Sequence, residues 1–156
     1  MKKITIKTEE VLSAYNIINT AKYTKLDDAD KIKVWKISRA LKPIAIKFEE
    51  DSKDAAEKMK PDGFDENLQN AQEYERVTKD ANADASKLKM GAAKYSKFIG
   101  ELQKYNRLVG DAVKEYAKKE VEIEIELLSE ESFGKLMSSN DWTMEQTVEI
   151  GMLIVE

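Results

Sequence analysis

Asp80, Asn82 and Asp84 stand at the alternating spacing with which an EF-hand loop offers oxygens to calcium. The match ends there. Counting from Asp80, the sixth position is Ala85, where glycine makes the sharp turn, and the twelfth is Gly91, where a bidentate glutamate closes the site. A polar break in a helix accounts for these residues better. Asp27, Asp28 and Asp30 could hold a divalent cation, since Mg²⁺ uses one or two carboxylates together with phosphates. A helix N-cap with acids near the positive dipole end explains them with less. Ser132-Phe133-Gly134-Lys135 has the Ser-x-x-Lys spacing of some acyl-transferring serines, but the Ser-Asp-Asn and Lys-Thr-Gly companions of that class are absent. No Gly-x-Gly-x-x-Gly or Gly-Lys-Ser/Thr run occurs to cradle a phosphate.

The chain of 156 residues contains no histidine and no cysteine. Thiolate metal sites and disulfides are excluded, and the commonest general base and metal ligand is missing. Acid–base chemistry would have to run on Asp, Glu, Lys or Tyr. These absences argue for a non-enzyme with no cofactor and no metal.

Lys31, Lys33, Trp35, Lys36, Arg39 and Lys42 form the strongest binding candidate. Cations around an aromatic ring suit an anionic ligand, a nucleotide or a nucleic acid, or a protein partner. A small-ligand site would combine these cations with Trp35 or Tyr23, between subunits. Cations beside an apolar seam also keep a coiled coil in solution, and this reading is preferred over nucleic-acid binding. Charge is uneven along the chain: residues 1–47 carry a net +6 and the remainder a net −10, giving −4 overall. A basic first third of this kind could meet an acidic partner.

The elements that would position these residues follow from hydrophobic period. Ile4 and Ile6 alternate with Lys3, Thr5 and Lys7, which predicts a short strand. Thr8 is an N-cap candidate for a helix over about 9–21. Val34, Ile37, Leu41, Ile44 and Phe48 step by threes and fours, with Ala55 and Met59 continuing the stripe, so a long helix with a coiled-coil-like seam starts near Asp27. Pro43 should kink it. Pro61-Asp62-Gly63 is a turn. A second stretch from Glu66 to about Lys118 carries Tyr74, Val77, Ala81, Leu88, Tyr95, Ile99, Leu102, Tyr105 and Val109 at helical steps. Residues 79–87 offer only alanines for a core, so a break is expected between about 79 and 91. Glu120 to Leu127 alternates strictly between glutamate and apolar residues, a second strand whose glutamates face outward toward the lysines of the first. Ser129 caps a short helix with Phe133, Leu136 and Met137. Thr143-Met144-Glu145-Gln146 has capping-box spacing and opens a last helix with Met144, Val148, Met152 and Val155 at helical steps.

The expected fold is therefore α+β and predominantly α. A long helical hairpin over about 27–118 stands on a base of 1–21 and 119–156, which holds a two-stranded sheet and a C-terminal helix, all as one domain, 1–156. A lone strand pair needs covering, and exposed edges with a long seam invite self-association, so a homo-oligomer is expected. No run approaches the roughly 18 apolar residues of a membrane span, and Met1-Lys2-Lys3-Ile4-Thr5-Ile6-Lys7 is too polar for a signal peptide, so no membrane association and a cytoplasmic location are expected.

This order of elements resembles that of small uncharacterised proteins encoded by tailed bacteriophages and prophages. Val121 to Leu128, followed by Ser129 and the closing helix, carries the resemblance best, and the segment from about 62 to 91 is longer than in that group. The resemblance implies a phage or mobile-element setting, in the host bacterial cytoplasm or in the virion, and brings no catalytic residues. The function it points to is protein–protein interaction, as a virion-assembly or accessory factor. The alternative is a small-ligand or nucleotide-binding anti-defence protein that uses the basic helix 31–47.

Overall fold

The computed structural model describes residues 1–80 and 82–156. Its described elements run β1 (Lys2–Lys7), α1 (Thr8–Asn19), α2 (Asp28–Lys58), α3 (Phe64–Lys79), α4 (Ala92–Lys118), β2 (Glu120–Ile125), α5 (Glu130–Ser138) and α6 (Met144–Ile154), with a 3-10 turn at Ala85–Lys87. The fold is predominantly helical with one two-stranded sheet, as the periodicity predicts. Two compact units are distinguished. One comprises Met1–Asp51 with Lys114–Glu156, the other Ser52–Val113, and their boundaries fall inside α2 and α4.

In the first unit β1 and β2 pair antiparallel, with Ile4 opposite Ile123 and Ile6 opposite Val121. The alternating glutamates are exposed and Ile123 and Ile125 are buried, so period two is realised on both faces. Lys3 reaches diagonally to Glu122 at 2.6 Å, the expected cross-strand ion pair. The core beneath the sheet joins Val11, Ala14 and Ile18 of α1, Val34, Ile37 and Leu41 of α2, Leu136 of α5 and Ile150 and Ile154 of α6. The chain end is tied in by main-chain bonds from Leu128 N to Ile154 O (2.7 Å) and from Glu156 N to Leu128 O (3.0 Å).

Caps set the helix starts. The side chain of Asp27 accepts from Asp30 N at 2.8 Å and opens α2. Ser129 accepts from Ser132 N at the start of α5, and the Thr143–Gln146 capping box forms at α6. Thr8 departs from expectation. It is the first residue of α1, not its cap, and its buried hydroxyl donates to Lys119 O at 2.8 Å. The Glu10 carboxylate takes up the Lys7 N–H instead, at 2.8 Å.

The second unit has its own small core of Phe64, Ala71, Met90 and Phe98. Phe64 lies 5.8 Å from the Phe98 ring and 4.5 Å from the Tyr105 ring, between centroids, and the Tyr105 hydroxyl donates to Ala56 O at 2.8 Å. Phe98, absent from the predicted stripe, takes the buried place on α4, and its neighbour Ile99 is only half-buried. Both are apolar, and a 100° step separates them on the helix. The expected break is present: α3 ends at Lys79 and α4 starts at Ala92. Ala81, part of the predicted stripe, lies outside the described residues.

Two further stripe assignments change. The α2 seam holds through Val34, Ile37, Leu41 and Ala55, and the helix continues past Pro43. Met59 lies beyond the helix end and is exposed. On α6 the buried face is Ile150, Leu153 and Ile154, while Met144, Val148 and Met152 face solvent. A helix this apolar has two stripes of helical period, and only tertiary packing selects the inner one. No described helix is long and apolar enough to cross a membrane.

Candidate functional site

The six residues singled out on the basic helix fall on different sides of α2. At 100° per residue, Lys31, Trp35, Arg39 and Lys42 share an arc of roughly 80°, and Ile32 and Ile46 fall on or beside it. Ile32, Trp35 and Ile46 are exposed there, although the opposite side of the same helix is core. The Arg39 guanidinium lies over the Trp35 ring, 5.3 Å from its centroid, a cation–π contact. Lys36 turns aside and pairs with Glu126 at 3.3 Å. Lys33 approaches Asp30 at 4.0 Å. Lys31 stays on the face with Asp28 at 3.9 Å. Among the described residues Arg39 and Lys42 form no ion pair. Tyr23 is exposed in the loop before α2, outside this helical face.

The face thus interleaves apolar and cationic side chains, with Arg39 and Lys42 between Trp35 and Ile46 along the helix. From Lys31 to Lys47 the sequence holds six cations and no acid. Its two isoleucines were legible at the same spacing that locates Trp35, since Ile32, Trp35, Arg39, Lys42 and Ile46 step by threes and fours.

The chemistry-bearing candidates are used structurally. The Ser132 hydroxyl donates to the Asp30 carboxylate, and Ser132 is buried. Lys135, the partner residue of the Ser-x-x-Lys spacing, binds Glu131 at 3.1 Å instead. The Glu131 carboxylate holds the Lys135 ammonium above its ordinary pKa, opposite to the depression an amine base needs. Asp84 accepts from the Ser86 hydroxyl and N–H, which lower its pKa, and Asp80 accepts from Asn82 N at 3.0 Å. Both carboxylates are therefore engaged in local turns. Among the described residues no group of three or more carboxylates is placed to hold a metal ion.

Two features lay outside the sequence reading. In the second unit the Tyr95 hydroxyl donates to Glu75 at 2.5 Å, while Tyr74 stacks on Tyr95 with ring centroids 4.3 Å apart. The Glu75 carboxylate raises the Tyr95 pKa through that hydrogen bond. In the first unit a cavity bounded by β1, α1 and α6 opens at the Met152 end of the α6 stripe. Comparison with family models, with curated proteins and with solved structures yields no match to this chain.

Proposed function

We propose that the chain works by binding protein, and that it self-associates through the outer face of α2. The observation that carries this reading is Trp35, exposed on the same face as Ile32 and Ile46 and held under Arg39, with Arg39 and Lys42 forming no ion pair among the described residues. Trp and Arg are the side chains most enriched at the energetic centres of protein interfaces, where a rigid ring meets a pocket and a ring of neighbours excludes water. The setting we propose is a phage or mobile element, with the protein acting in virion assembly or as an accessory factor in the bacterial cytoplasm. It rests on the resemblance to small phage and prophage proteins that the run from Val121 to Leu128 and the closing helix carry.

The alternative is an anionic small ligand or nucleotide on the same face, favoured by the cations around an aromatic plane. Light scattering after size exclusion, with absorbance at 260 and 280 nm on the same peak, separates the two. A mass above that of one chain with a protein-like ratio supports self-association. A monomer with a raised 260 nm signal overturns it in favour of a bound nucleotide.

A further inference from the structure

The first unit carries a second exposed apolar surface whose charge is opposite to that of the α2 face. On α6, Met144, Val148 and Met152 are 77%, 51% and 81% exposed, values that leave the whole stripe without a partner in one chain. They recur every four residues and span about 12 Å, against about 16 Å from Trp35 to Ile46. Glu145 and Glu149 flank the stripe, and from Leu136 to Glu156 the chain has four acids and no cation.

At the Met152 end of this stripe lies an apolar cavity of about 210 Å³. Its walls are Ile4 and Ile6 of β1, Ala14 of α1, and Met152 and Leu153 of α6. Its only charged members are two carboxylates, Glu10 and Glu149. The volume is below the roughly 300 Å³ at which small-molecule sites begin. A cavity of this size suits one bulky side chain.

We infer that this cavity receives Trp35 of a second copy of the chain, with Arg39 and Lys42 of that copy meeting Glu149 and Glu10. The inference rests on the self-association proposed above and names the surface that the α2 face meets. Charge complementarity selects this pairing. Face-to-face association of two α2 helices sets Lys31, Arg39 and Lys42 against their own copies, and association of two α6 helices does the same for Glu145 and Glu149. Either arrangement brings like charges together, which costs association energy. The unlike pairing places Arg39 and Lys42, which form no ion pair among the described residues, beside carboxylates and covers both apolar stripes at once. Met once per pair of copies, such an interface is head to tail and builds a ring or an open chain; met reciprocally about a two-fold axis, it closes a dimer.

Two variants, each blocked on one surface, test the inference. Trp35→Asp removes the knob and Met152→Asp spoils the socket, and both replace exposed side chains, so the fold is kept. Sedimentation velocity is run on each alone and on an equimolar mixture, with circular dichroism to verify folding. The expected result is that each variant alone is monomeric where the wild type associates, and that the mixture forms a one-to-one heterodimer and nothing larger. Raising salt from about 50 mM to about 500 mM should weaken the heterodimer by about tenfold or more, because its rim is made of ion pairs. A Met152→Asp protein that associates like wild type while Trp35→Asp does not overturns the α6 socket and leaves the α2 reading standing. A mixture that remains monomeric overturns the pairing of the α2 face with the α6 socket. Association unchanged in both variants, or a wild type that is monomeric throughout, overturns the inference together with the self-association beneath it.

Discussion

The Ser132 hydroxyl donates to the Asp30 carboxylate across 102 residues of sequence, joining the first turn of α5 to the first turn of α2. Ser132 also accepts from the Ser129 hydroxyl at 3.0 Å, so three polar groups are linked at the edge of the core. Ser132→Ala leaves a largely shielded carboxylate short of a donor. An unmade hydrogen bond of this kind costs about 1–3 kcal/mol. Urea unfolding should show the midpoint fall with little change in slope. An unchanged midpoint would mean that water replaces the hydroxyl without loss.

The orientation of α6 is tested by a contrasting pair. Ile150 is fully buried and Met152 is exposed, two residues apart on one helix. Ile150→Ala should cost about 2–5 kcal/mol through lost burial and a cavity. Met152→Asp should remain within about 0.5 kcal/mol of the parent. Equal costs would place Met152 in the core and refute the helix orientation.

Glycines on α4 give a gain. An added Cβ at Gly100 or Gly110 meets no heavy atom within 4 Å. Each Gly→Ala change should stabilise the protein by up to about 1 kcal/mol from helix propensity. Gly63 is the opposite case: its φ of 70° lies in the left-handed region, at the turn into α3. Gly63→Ala should cost about 1–2 kcal/mol. Thermal or urea melts of the three variants check the signs.

The Tyr95–Glu75 bond predicts a pH effect at the alkaline end. Its raised pKa means that the folded state holds the phenol proton more tightly than the unfolded chain does, relative to an ordinary value of 10.0. The stabilisation is therefore fully present below about pH 10 and is lost as pH rises through the raised folded value. Above it a phenolate would face a carboxylate. Tyr95→Phe should show a shallower loss of stability over that range than the parent. Because lysines titrate there too, the difference between the two proteins is the informative quantity. Parallel curves would show that the bond does not form in solution.

Much of this fold was legible because local signals agreed with tertiary ones. The Glu120–Ile125 alternation and the Thr143–Gln146 box agree with the structure, and at the alanine-only stretch near 80 the missing glycine and glutamate of a calcium loop leave the helix break as the better reading. The departures on α4 and α6 share a cause. Where a helix offers two apolar stripes, as α6 does, or adjacent large apolar residues, as at Phe98 and Ile99, periodicity cannot choose which faces inward. That choice depends on what the rest of the chain brings to the contact. The candidate face was found in outline from Trp35 and its cations. Its division, with Lys33 and Lys36 turned aside to Asp30 and Glu126, required knowing where α5 and β2 end up. The cavity between β1, α1 and α6 was beyond reach, because it joins side chains from residues 4 to 153.

The most direct measurement uses the chain's own reporter. There are two tryptophans, and Trp142 is half-buried beside Phe133, 6.3 Å between ring centroids, so Trp142→Phe preserves an aromatic contact and leaves Trp35 as the only indole. Emission and acrylamide quenching are followed over a concentration series, with light scattering on the same samples. The account predicts a blue shift and reduced quenching of Trp35 as the mass rises above that of one chain. Emission that stays at the exposed-indole position while the mass rises would contradict the claim that this face of α2 is where copies meet.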